Sequence, residues 1–299
     1  MYSFGIDIGG TTVKIGLVKD NKLIDSYQIT TNIENDGKNI IPDVCNSLLE
    51  YINKNNISIN DIFGIGFGVP GTVIGDMIKL CPNANMKDID CKKEVNKFFP
   101  NMKIAVENDA NIAALAEVLV GNKYSNAVML TLGTGVGGGI IMNKSIFTGC
   151  HNAAGEIGHM YVDEKYQFQC NCGLKGCLET VASATGIARV ANTLNGSLKY
   201  KTCKDVFDCA HEGDEVANEA VEYAAKALGK ATSLIASVID PEAIIIGGGV
   251  SKAGDFLLDK VKKYYKEHCY VYLKDTNIEL AKLGNDAGMI GAALLVLNK

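Results

Sequence analysis

The sequence predicts an α/β protein built from two related domains. Residues 4–18 read as an apolar strand, a glycine-rich turn and a second apolar strand, and residues 127–142 repeat that order. Polar turns follow the two copies in nearly matching places, at 19–21 and at 143–144. Two such copies favour a duplicated α/β domain whose glycine turns face each other across a cleft. The alternative is two unrelated hairpins, because glycine turns are common.

The composition limits the partners that the chain can have. Its 299 residues, 47% of them hydrophobic, suffice for one large or two ordinary domains with a substantial core. A net charge of −5 argues against a nucleic-acid partner. No apolar run approaches the length of a membrane helix, and the N-terminus has no signal-peptide pattern. With ten cysteines in addition, the sequence predicts a cytoplasmic protein without a membrane partner.

The first glycine turn is a candidate phosphate site. The turn consists of Gly9, Gly10, Thr11 and Thr12. It offers backbone N–H groups that no large side chain shields, together with the two threonine hydroxyls. Asp7 ends the preceding strand and could hold Mg²⁺ through water. Arg189 is the only arginine of the chain, so a phosphate group must be held mainly by backbone amides, lysine, hydroxyls or a metal.

Two later glycine turns are further candidates for nucleotide binding. The turn of the second copy contains Gly133, Thr134 and Gly135. A buried strand at 243–246 then opens into a third turn before a helix at 254–268, and the residues of that turn are Gly247, Gly248 and Gly249. Because glycine lets the backbone approach a flat ligand closely, an adenosine group would fit there.

The segments between the two copies predict one helix, one strand and one surface excursion. Residues 39–53 carry apolar residues at helical spacing. Residues 62–71 predict a buried strand that ends in a Pro-Gly turn, which brings the backbone at Gly71 close to whatever occupies the cleft. Residues 80–100 are rich in Asn and Lys and contain two prolines, so they read as an excursion over the surface.

Two polar residues lie between a strand at 104–107 and a helix at 112–120. Asn108 and Asp109 fall at the start of the helix, and both residue types cap helices well. The alternative is that Asp109 points into the cleft as a base. In phosphoryl transfer the proton of the alcohol leaves late, so an ionised Asp that orients the hydroxyl is sufficient. Both interpretations stay open on the residues alone.

A Cys- and His-rich segment at 151–179 has the ligand set of a structural zinc site. One imidazole and three thiolates match the coordination chemistry of Zn²⁺, and the residues are His159, Cys170, Cys172 and Cys177. The tight spacing suits a loop around an ion better than a disulfide. His151 is also available as the fourth ligand, although His159 lies closer to the cysteines in sequence.

Two carboxylates flank this cluster. Glu156 precedes His159 by three residues, and Glu179 closes the cysteine motif. A zinc loop would fix both carboxylates while leaving them no metal to bind, so they could accept hydrogen bonds from a polyol. The segment therefore predicts a loop that a metal holds in place and that grips a sugar.

The last third of the chain predicts mostly helices. The expected elements are helices at 180–194, 213–238 and 254–268, strands at 243–246 and 278–281, and a terminal helix that Asp286 caps and that runs to residue 297. Residues 198–209 are ambiguous.

Taken together, these segments resemble the ROK family of bacterial sugar kinases, which have the actin-like ATPase (ribonuclease H-like) fold. The resemblance runs across essentially the whole chain. The cysteine motif with its closing Glu, at 170–179, is highly specific, whereas each glycine turn alone is not. The other matching motifs lie at 7–11, 107–111, 132–138, 156–159 and 247–250.

The resemblance implies a role for each candidate residue. Asp109 would be the catalytic base, and ATP phosphates would lie on the glycine turns. The sugar would contact Gly71, Asn108, Asp109, Glu156, His159 and Glu179. His159 would bind zinc through one ring nitrogen and donate to a sugar hydroxyl through the other. The fold implies two α/β domains that flank a cleft, expected at 1–118 plus 286–299 and at 119–285.

The resemblance also implies the reaction, which is ATP- and Mg²⁺-dependent phosphorylation of a hexose at its 6-hydroxyl. Residues 170–186 look most like the glucokinases of the family, which favours glucose. Kinases of N-acetylmannosamine, N-acetylglucosamine, allose or fructose, and a sugar sensor without catalysis, stay open. Repressors of the family carry a helix-turn-helix before the segment that here begins at Asp7, so an enzyme is favoured. A homodimer is expected because the family usually forms one.

Overall fold

The computed structural model describes residues 1–298, which form two compact units. The first unit contains Met1–Lys123, Lys144–Ala154 and the C-terminal segment from Asn285. The second unit contains Tyr124–Asn143 and Gly155–Gly284. The domain boundaries expected from the sequence stay a prediction. Within residues 1–298, every helix is too short or too polar to cross a lipid bilayer.

The first part of the chain is rich in strands. Its elements are β1 (Tyr2–Ile8), β2 (Thr12–Lys19), β3 (Lys22–Thr30), α1 (Ile40–Lys54), β4 (Ile62–Val69), β5 (Thr72–Ile74), β6 (Met77–Cys81), β7 (Met86–Asp90), α2 (Cys91–Asn96), β8 (Lys103–Asn108) and α3 (Asp109–Ala116). A π-helical turn, Glu117–Asn122, follows α3 directly.

The rest of the chain is mostly helical, apart from a second set of strands. Its elements are β9 (Ala127–Leu132), β10 (Val136–Met142), β11 (Ser145–Ile146), α4 (Glu179–Ala182), α5 (Ala184–Asn195), α6 (Cys203–His211), α7 (Glu215–Ile239), β12 (Ala243–Gly247), α8 (Asp255–His268), β13 (Asn277–Leu280) and α9 (Ala287–Asn298). Short 3-10 turns connect several of these elements.

The two units repeat one pattern of strand pairing. In the first unit β1 pairs antiparallel with β2 and parallel with β4, and β4 pairs parallel with β8. In the second unit β9 pairs antiparallel with β10 and parallel with β12, and β12 pairs parallel with β13. Both predicted strand–turn–strand segments are therefore confirmed, and each begins a sheet of the same topology.

The core of the first unit lies between its main sheet and its helices. The apolar helix α9 packs on β1 and β4, so the C-terminal segment belongs to this core. Gly66 of β4 makes the close approach possible, because a Cβ atom there would collide with the carbonyl oxygen of Ala292. On α1 the residues at helical spacing are buried, among them Val44 and Leu48, which confirms the predicted amphipathic helix.

The prediction of a surface excursion at 80–100 is wrong. The segment contributes β6 and β7 to a three-stranded antiparallel sheet with β5, and α2 follows. Met86, Ile89, Cys91 and Val95 are buried in the core of the first unit. Exposed Lys and Asp residues lie between these apolar residues, so the polar average composition of the segment does not reveal its buried side.

Two other boundaries differ from the sequence prediction, and the segment that was ambiguous takes a definite structure. The predicted helix at 180–194 is two helices, since Ser183 takes an extended conformation between α4 and α5. The ambiguous segment at 198–209 contains the start of α6, which Thr202 and Asp205 cap reciprocally. The helix predicted from residue 112 begins at Asp109, because Asn108 caps it. The remaining predicted helices and strands are confirmed within two residues of their expected ends.

Candidate active site

The first glycine turn connects β1 to β2 and is held by its neighbours. Gly9 donates its N–H to the carbonyl of Thr12 at 2.9 Å, and the Thr31 hydroxyl donates to the carbonyl of Gly9 at 2.7 Å. A Cβ atom on Gly10 would lie 2.8 Å from the carbonyl oxygen of Asn83, so this position requires glycine. The turn is thus rigid, while the side chain of Thr11 is exposed.

Asp7 lies at the end of β1, directly before this turn. Its carboxylate is 4.0 Å from the ammonium of Lys14, the cross-strand partner of Asp7 on β2. The first turn of α9 also approaches it, since a Cβ atom on Gly288 would lie 2.7 Å from Asp7 Oδ2. Burial raises the pKa of Asp7, and the charge of Lys14 partly opposes that shift. A carboxylate beside a phosphate-sized turn suits Mg²⁺ held through water.

Asn108 caps α3 and also binds the Pro-Gly turn. Its side-chain oxygen accepts the N–H groups of Ala110 at 2.9 Å and Asn111 at 3.3 Å, which caps α3. Its amide nitrogen donates to the carbonyl of Gly71 at 3.2 Å, so it ties the Pro-Gly turn to the helix start. The Asn108 side chain also hydrogen-bonds to the Asp109 carboxylate, so it contacts the candidate base directly.

Asp109 is the first residue of α3, and it is largely buried. Burial is the main cause that raises the pKa of Asp109 to about 6; the nearby charge of Asp7 contributes in the same direction, and the N–H of Ala110 acts in the opposite direction. A carboxylate whose pKa lies just below neutral pH is ionised in the cell and can still accept a proton. Capping alone does not explain this environment, since Asn108 already serves as the cap.

Glu107 is a residue of this site that the sequence did not single out. Its carboxylate accepts the N–H of Asn108 at 2.9 Å and the side-chain amide of Asn111 at 3.1 Å. It therefore fixes both ends of the cap that positions Asp109. The only sequence signal is its place inside the 107–111 motif.

The second unit contains the predicted metal cluster. The donor atoms of the four residues all lie within 4.8 Å of one another, and those residues are His159, Cys170, Cys172 and Cys177. The sulfurs of Cys172 and Cys177 are 3.7 Å apart, and His159 Nδ1 is 3.6 Å from Cys170 Sγ. A tetrahedron with zinc–sulfur bonds of about 2.3 Å has edges of about 3.8 Å, so this donor set fits Zn²⁺.

The histidine of this cluster is His159, one of the two that the sequence offered as a fourth ligand. His159 supplies Nδ1 to the cysteine side, while its Nε2 lies 3.8 Å from a carboxylate oxygen of Glu156. Glu156 is exposed, so its carboxylate is open to a ligand. If Nδ1 binds a metal, Nε2 is therefore the ring nitrogen that remains available to a ligand beside Glu156.

Glu179 lies between the cysteine loop and the second glycine turn. One of its oxygens is 3.7 Å from Cys170 Sγ, and the other accepts the N–H of Val136 at 3.0 Å. A Cβ atom on Gly135 would collide with this carboxylate, so a larger residue there would displace the Glu179 side chain. The sequence placed the carboxylate near a sugar but gave no sign of its bond to the glycine turn.

The third glycine turn follows β12 in the same unit. Gly248 has φ of 86°, which favours glycine, and a Cβ atom there would lie 2.5 Å from the carbonyl oxygen of Leu132 on β9. The turn therefore packs against the strand that leads into Gly133. Gly247 is buried, whereas Gly248 and Gly249 are exposed and open to a flat ligand.

The structure thus places each sequence-predicted residue in one of two sets. In the first unit lie Asp7, Gly9, Gly10, Thr11, Thr12, Gly71, Asn108 and Asp109. In the second unit lie Gly133, Thr134, Gly135, Glu156, His159, Cys170, Cys172, Cys177, Glu179, Gly247, Gly248 and Gly249. Each set is ordered by its own hydrogen bonds.

Comparisons with known proteins agree with the motifs. The chain is 39% identical to a glucokinase of Halalkalibacterium halodurans, over 98% of this chain and 94% of that protein. It is 31% identical to a glucokinase of Thermotoga maritima, over 98% and 96% of the two chains. The crystal structure of a ROK family glucokinase from Streptomyces griseus, in complex with glucose and AMPPNP, superposes with a TM-score of 0.77 at 28% identity and covers 100% of both chains.

These relatives have the actin-like ATPase fold, which the resemblance implied and which this chain shares. The ROK family profile matches residues 3–299, which is nearly the full length. The motifs that carry the resemblance lie in ordered turns and loops of the structure. On this match and these identities, the chain belongs to the ROK family.

Proposed function

We propose that the protein transfers the γ-phosphate of ATP to the 6-hydroxyl of a hexose, with glucose as the preferred substrate. The glucokinase relatives support the reaction class and the sugar. The single observation that carries the proposal on this chain is Asp109, a largely buried carboxylate whose pKa of about 6 suits a base near neutral pH. It stands at a helix start that Asn108 and Glu107 fix by hydrogen bonds.

Asp109 is the proposed base for the sugar hydroxyl. The attacking 6-hydroxyl donates its hydrogen bond to the carboxylate, which orients an oxygen lone pair toward the γ-phosphorus. As the bond from oxygen to phosphorus forms, the bond from the γ-phosphorus to the bridging oxygen of ADP breaks, and the proton passes to Asp109. The side-chain amide of Asn108, beside Asp109, is assigned to a neighbouring hydroxyl of the same sugar.

The other sugar hydroxyls are assigned to Glu156, His159 and Glu179. These side chains offer two carboxylates and one ring N–H, which match hydroxyls that both donate and accept. The spacing of the four donor atoms supports Zn²⁺ at His159 and the three cysteines. With four protein ligands such a site has a structural function, since it has no open position for water or phosphate.

The nucleotide is assigned to the three glycine turns. Backbone N–H groups of the turns at Gly9 and Gly133 hold the phosphates, and the turn at Gly247 accommodates the adenosine. Asp7 is the proposed anchor for Mg²⁺, which supplies charge neutralisation for the β- and γ-phosphates. This assignment is consistent with the presence of only one arginine in the chain.

A panel of hexoses with coupled detection of ADP tests the proposal. We expect the highest kcat/KM for glucose, and lower values for N-acetylmannosamine, N-acetylglucosamine, allose and fructose. Formation of glucose 6-phosphate, identified by its phosphorus NMR signal, would establish the position of transfer. A protein that binds glucose but releases no ADP with any sugar would refute the kinase and favour a sensor. We also propose that the protein is cytoplasmic and that it forms a homodimer. Sedimentation of the purified protein tests the homodimer.

A further inference from the structure

We infer that Thr185 is a positioning residue for nucleotide binding, because its hydroxyl holds the second glycine turn in the shape that binds phosphate. This inference rests on the proposed function, which assigns that turn to ATP. Thr185 is an exposed residue in the first turn of α5, and it is not among the candidate site residues of the sequence. Its contact with the turn spans 51 residues of sequence.

The first turn of α5 binds two consecutive carbonyl groups of the glycine turn. Ala184 donates its backbone N–H to the carbonyl of Gly133 at 2.8 Å. The Thr185 hydroxyl donates to the carbonyl of Thr134 at 2.7 Å. Helix N-termini have unpaired N–H groups, so a carbonyl is a natural partner for Ala184. Both carbonyls are therefore drawn toward the helix.

A chain of hydroxyl groups fixes the direction of the bond from Thr185. A hydroxyl has a single proton, and that of Thr185 is donated to Thr134. The 3.0 Å contact between the hydroxyls of Ser183 and Thr185 must then have Ser183 as the donor. Ser183 in turn accepts the N–H of Gly186 at 3.0 Å. All the bonds of the chain run one way, so each strengthens the next.

The opposite side of the turn is fixed as well. Gly133 donates its N–H to the carbonyl of Gly135 at 2.9 Å, and Val136 donates to Glu179 at 3.0 Å. Within residues 1–298, the N–H groups of Thr134 and Gly135 donate to no carbonyl or side chain. With the carbonyls held by α5, these two N–H groups remain as the donors that a phosphate can use.

The bond matters because the turn would otherwise be flexible. Glycine loses more conformational freedom on ordering than any other residue, and two of the three residues in this turn are glycines. Without the Thr185 hydroxyl, phosphate binding must itself order the peptide between Thr134 and Gly135. That cost weakens nucleotide affinity while leaving the sugar-binding side chains in place.

The test compares three substitutions on one exposed helix face. Thr185→Val removes the hydroxyl and keeps the shape, whereas Thr185→Ser keeps the hydroxyl. Thr193→Val is the matched control, since the exposed Thr193 hydroxyl donates at 2.8 Å to the carbonyl of Arg189 in its own helix. The measurements are the Kd of AMPPNP by calorimetry, the KM for ATP, the KM for glucose and the thermal midpoint.

We expect Thr185→Val to raise the Kd of AMPPNP and the KM for ATP by roughly threefold to tenfold, the usual effect of one lost hydrogen bond. The KM for glucose should stay within about twofold, and Thr185→Ser should restore wild-type affinity. Equal nucleotide affinity for Thr185→Val and Thr193→Val would overturn the inference, as would an equal rise in both KM values. A wild-type protein that binds no AMPPNP would instead refute the proposed kinase.

Discussion

Asp109→Asn should make the protein more stable at neutral pH while it strongly lowers turnover. The ionised carboxylate of Asp109 is largely buried and lies near the charge of Asp7, which raises its pKa from 3.8 to about 6. A shift of that size corresponds to a cost of about 3 kcal/mol to the folded state when the group is ionised. Because Asp109 keeps partial exposure, we expect asparagine to recover about 2–3 kcal/mol of that cost.

The sign of the pH dependence follows from the two pKa values. Above about pH 6 the carboxylate is ionised in both the folded and the unfolded chain, so the full cost is present. Between pH 6 and 3.8 the folded chain binds the proton and the unfolded chain does not, so the cost falls by about 1.4 kcal/mol per pH unit as pH decreases. The advantage of Asp109→Asn should therefore shrink on acidification.

Unfolding by urea, followed by far-UV circular dichroism, measures this difference because the chain has no Trp. We expect the variant to exceed the wild type by about 2–3 kcal/mol at pH 7.5 and by about half as much at pH 5. In thermal unfolding the gain corresponds to a rise of roughly 4–10 °C in the midpoint. The same preparation should have a kcat lower by at least about a hundredfold, the usual scale for a lost general base.

The control is Asp259→Asn, which changes an exposed carboxylate on α8. Its stability should differ from the wild type by less than about 0.5 kcal/mol at every pH. The reasoning is refuted if Asp109→Asn is no more stable than the wild type at pH 7.5, or if its advantage is the same at pH 5. Near-normal turnover of the variant would instead remove Asp109 from the mechanism.

Three other predictions concern the pH profile, the metal loop and the link between the two ligand sites. The kcat/KM should fall below about pH 6, where Asp109 takes up a proton. Asp7→Asn should shift this acidic limb of the kcat/KM profile to lower pH, which the residual activity of the variant measured across pH would show. Cys172→Ala should remove about one zinc per chain, measured by mass spectrometry, lower the thermal midpoint and raise the KM for glucose steeply; a metal-free wild type with full activity would contradict this. Glu179→Ala should raise the KM for both glucose and ATP, because the carboxylate also accepts the N–H of Val136, and an unchanged KM for ATP would disprove that link.

The sequence predicted the parts of the fold that depend on local patterns. The strands around Gly9 and Gly133 combine apolar runs with glycine, and the pattern repeats, so both sheets could be anticipated. The hairpin at 80–100 could not, because Met86 and Ile89 are spaced among charged residues whose exposed side only the partner strands define. Likewise, nothing local to Ser183 shows that its extended conformation divides the helix.

The sequence predicted the parts of the candidate site whose residue types and spacing are typical of one kind of site. Three cysteines and a histidine at this spacing indicate a metal without any knowledge of the fold. The contact of Thr185 with Thr134 could not be predicted from the sequence, because a threonine early in a helix is common and its partner lies 51 residues away. Glu179 shows the same limit, since its second partner, Val136, is 43 residues distant.

The orientation of the His159 ring has a consequence for sugar selectivity. If Nδ1 binds the proposed zinc, the only proton of the neutral ring is on Nε2, so this edge can donate and cannot accept. The carboxylate of Glu156, 3.8 Å from Nε2, can only accept when ionised. A group between them must receive one hydrogen bond and give another, which a hydroxyl does and a fluorine does not. Deoxyfluoro sugars, substituted one position at a time, would therefore test whether a hydroxyl of the proposed substrate binds between the two residues, and would identify it.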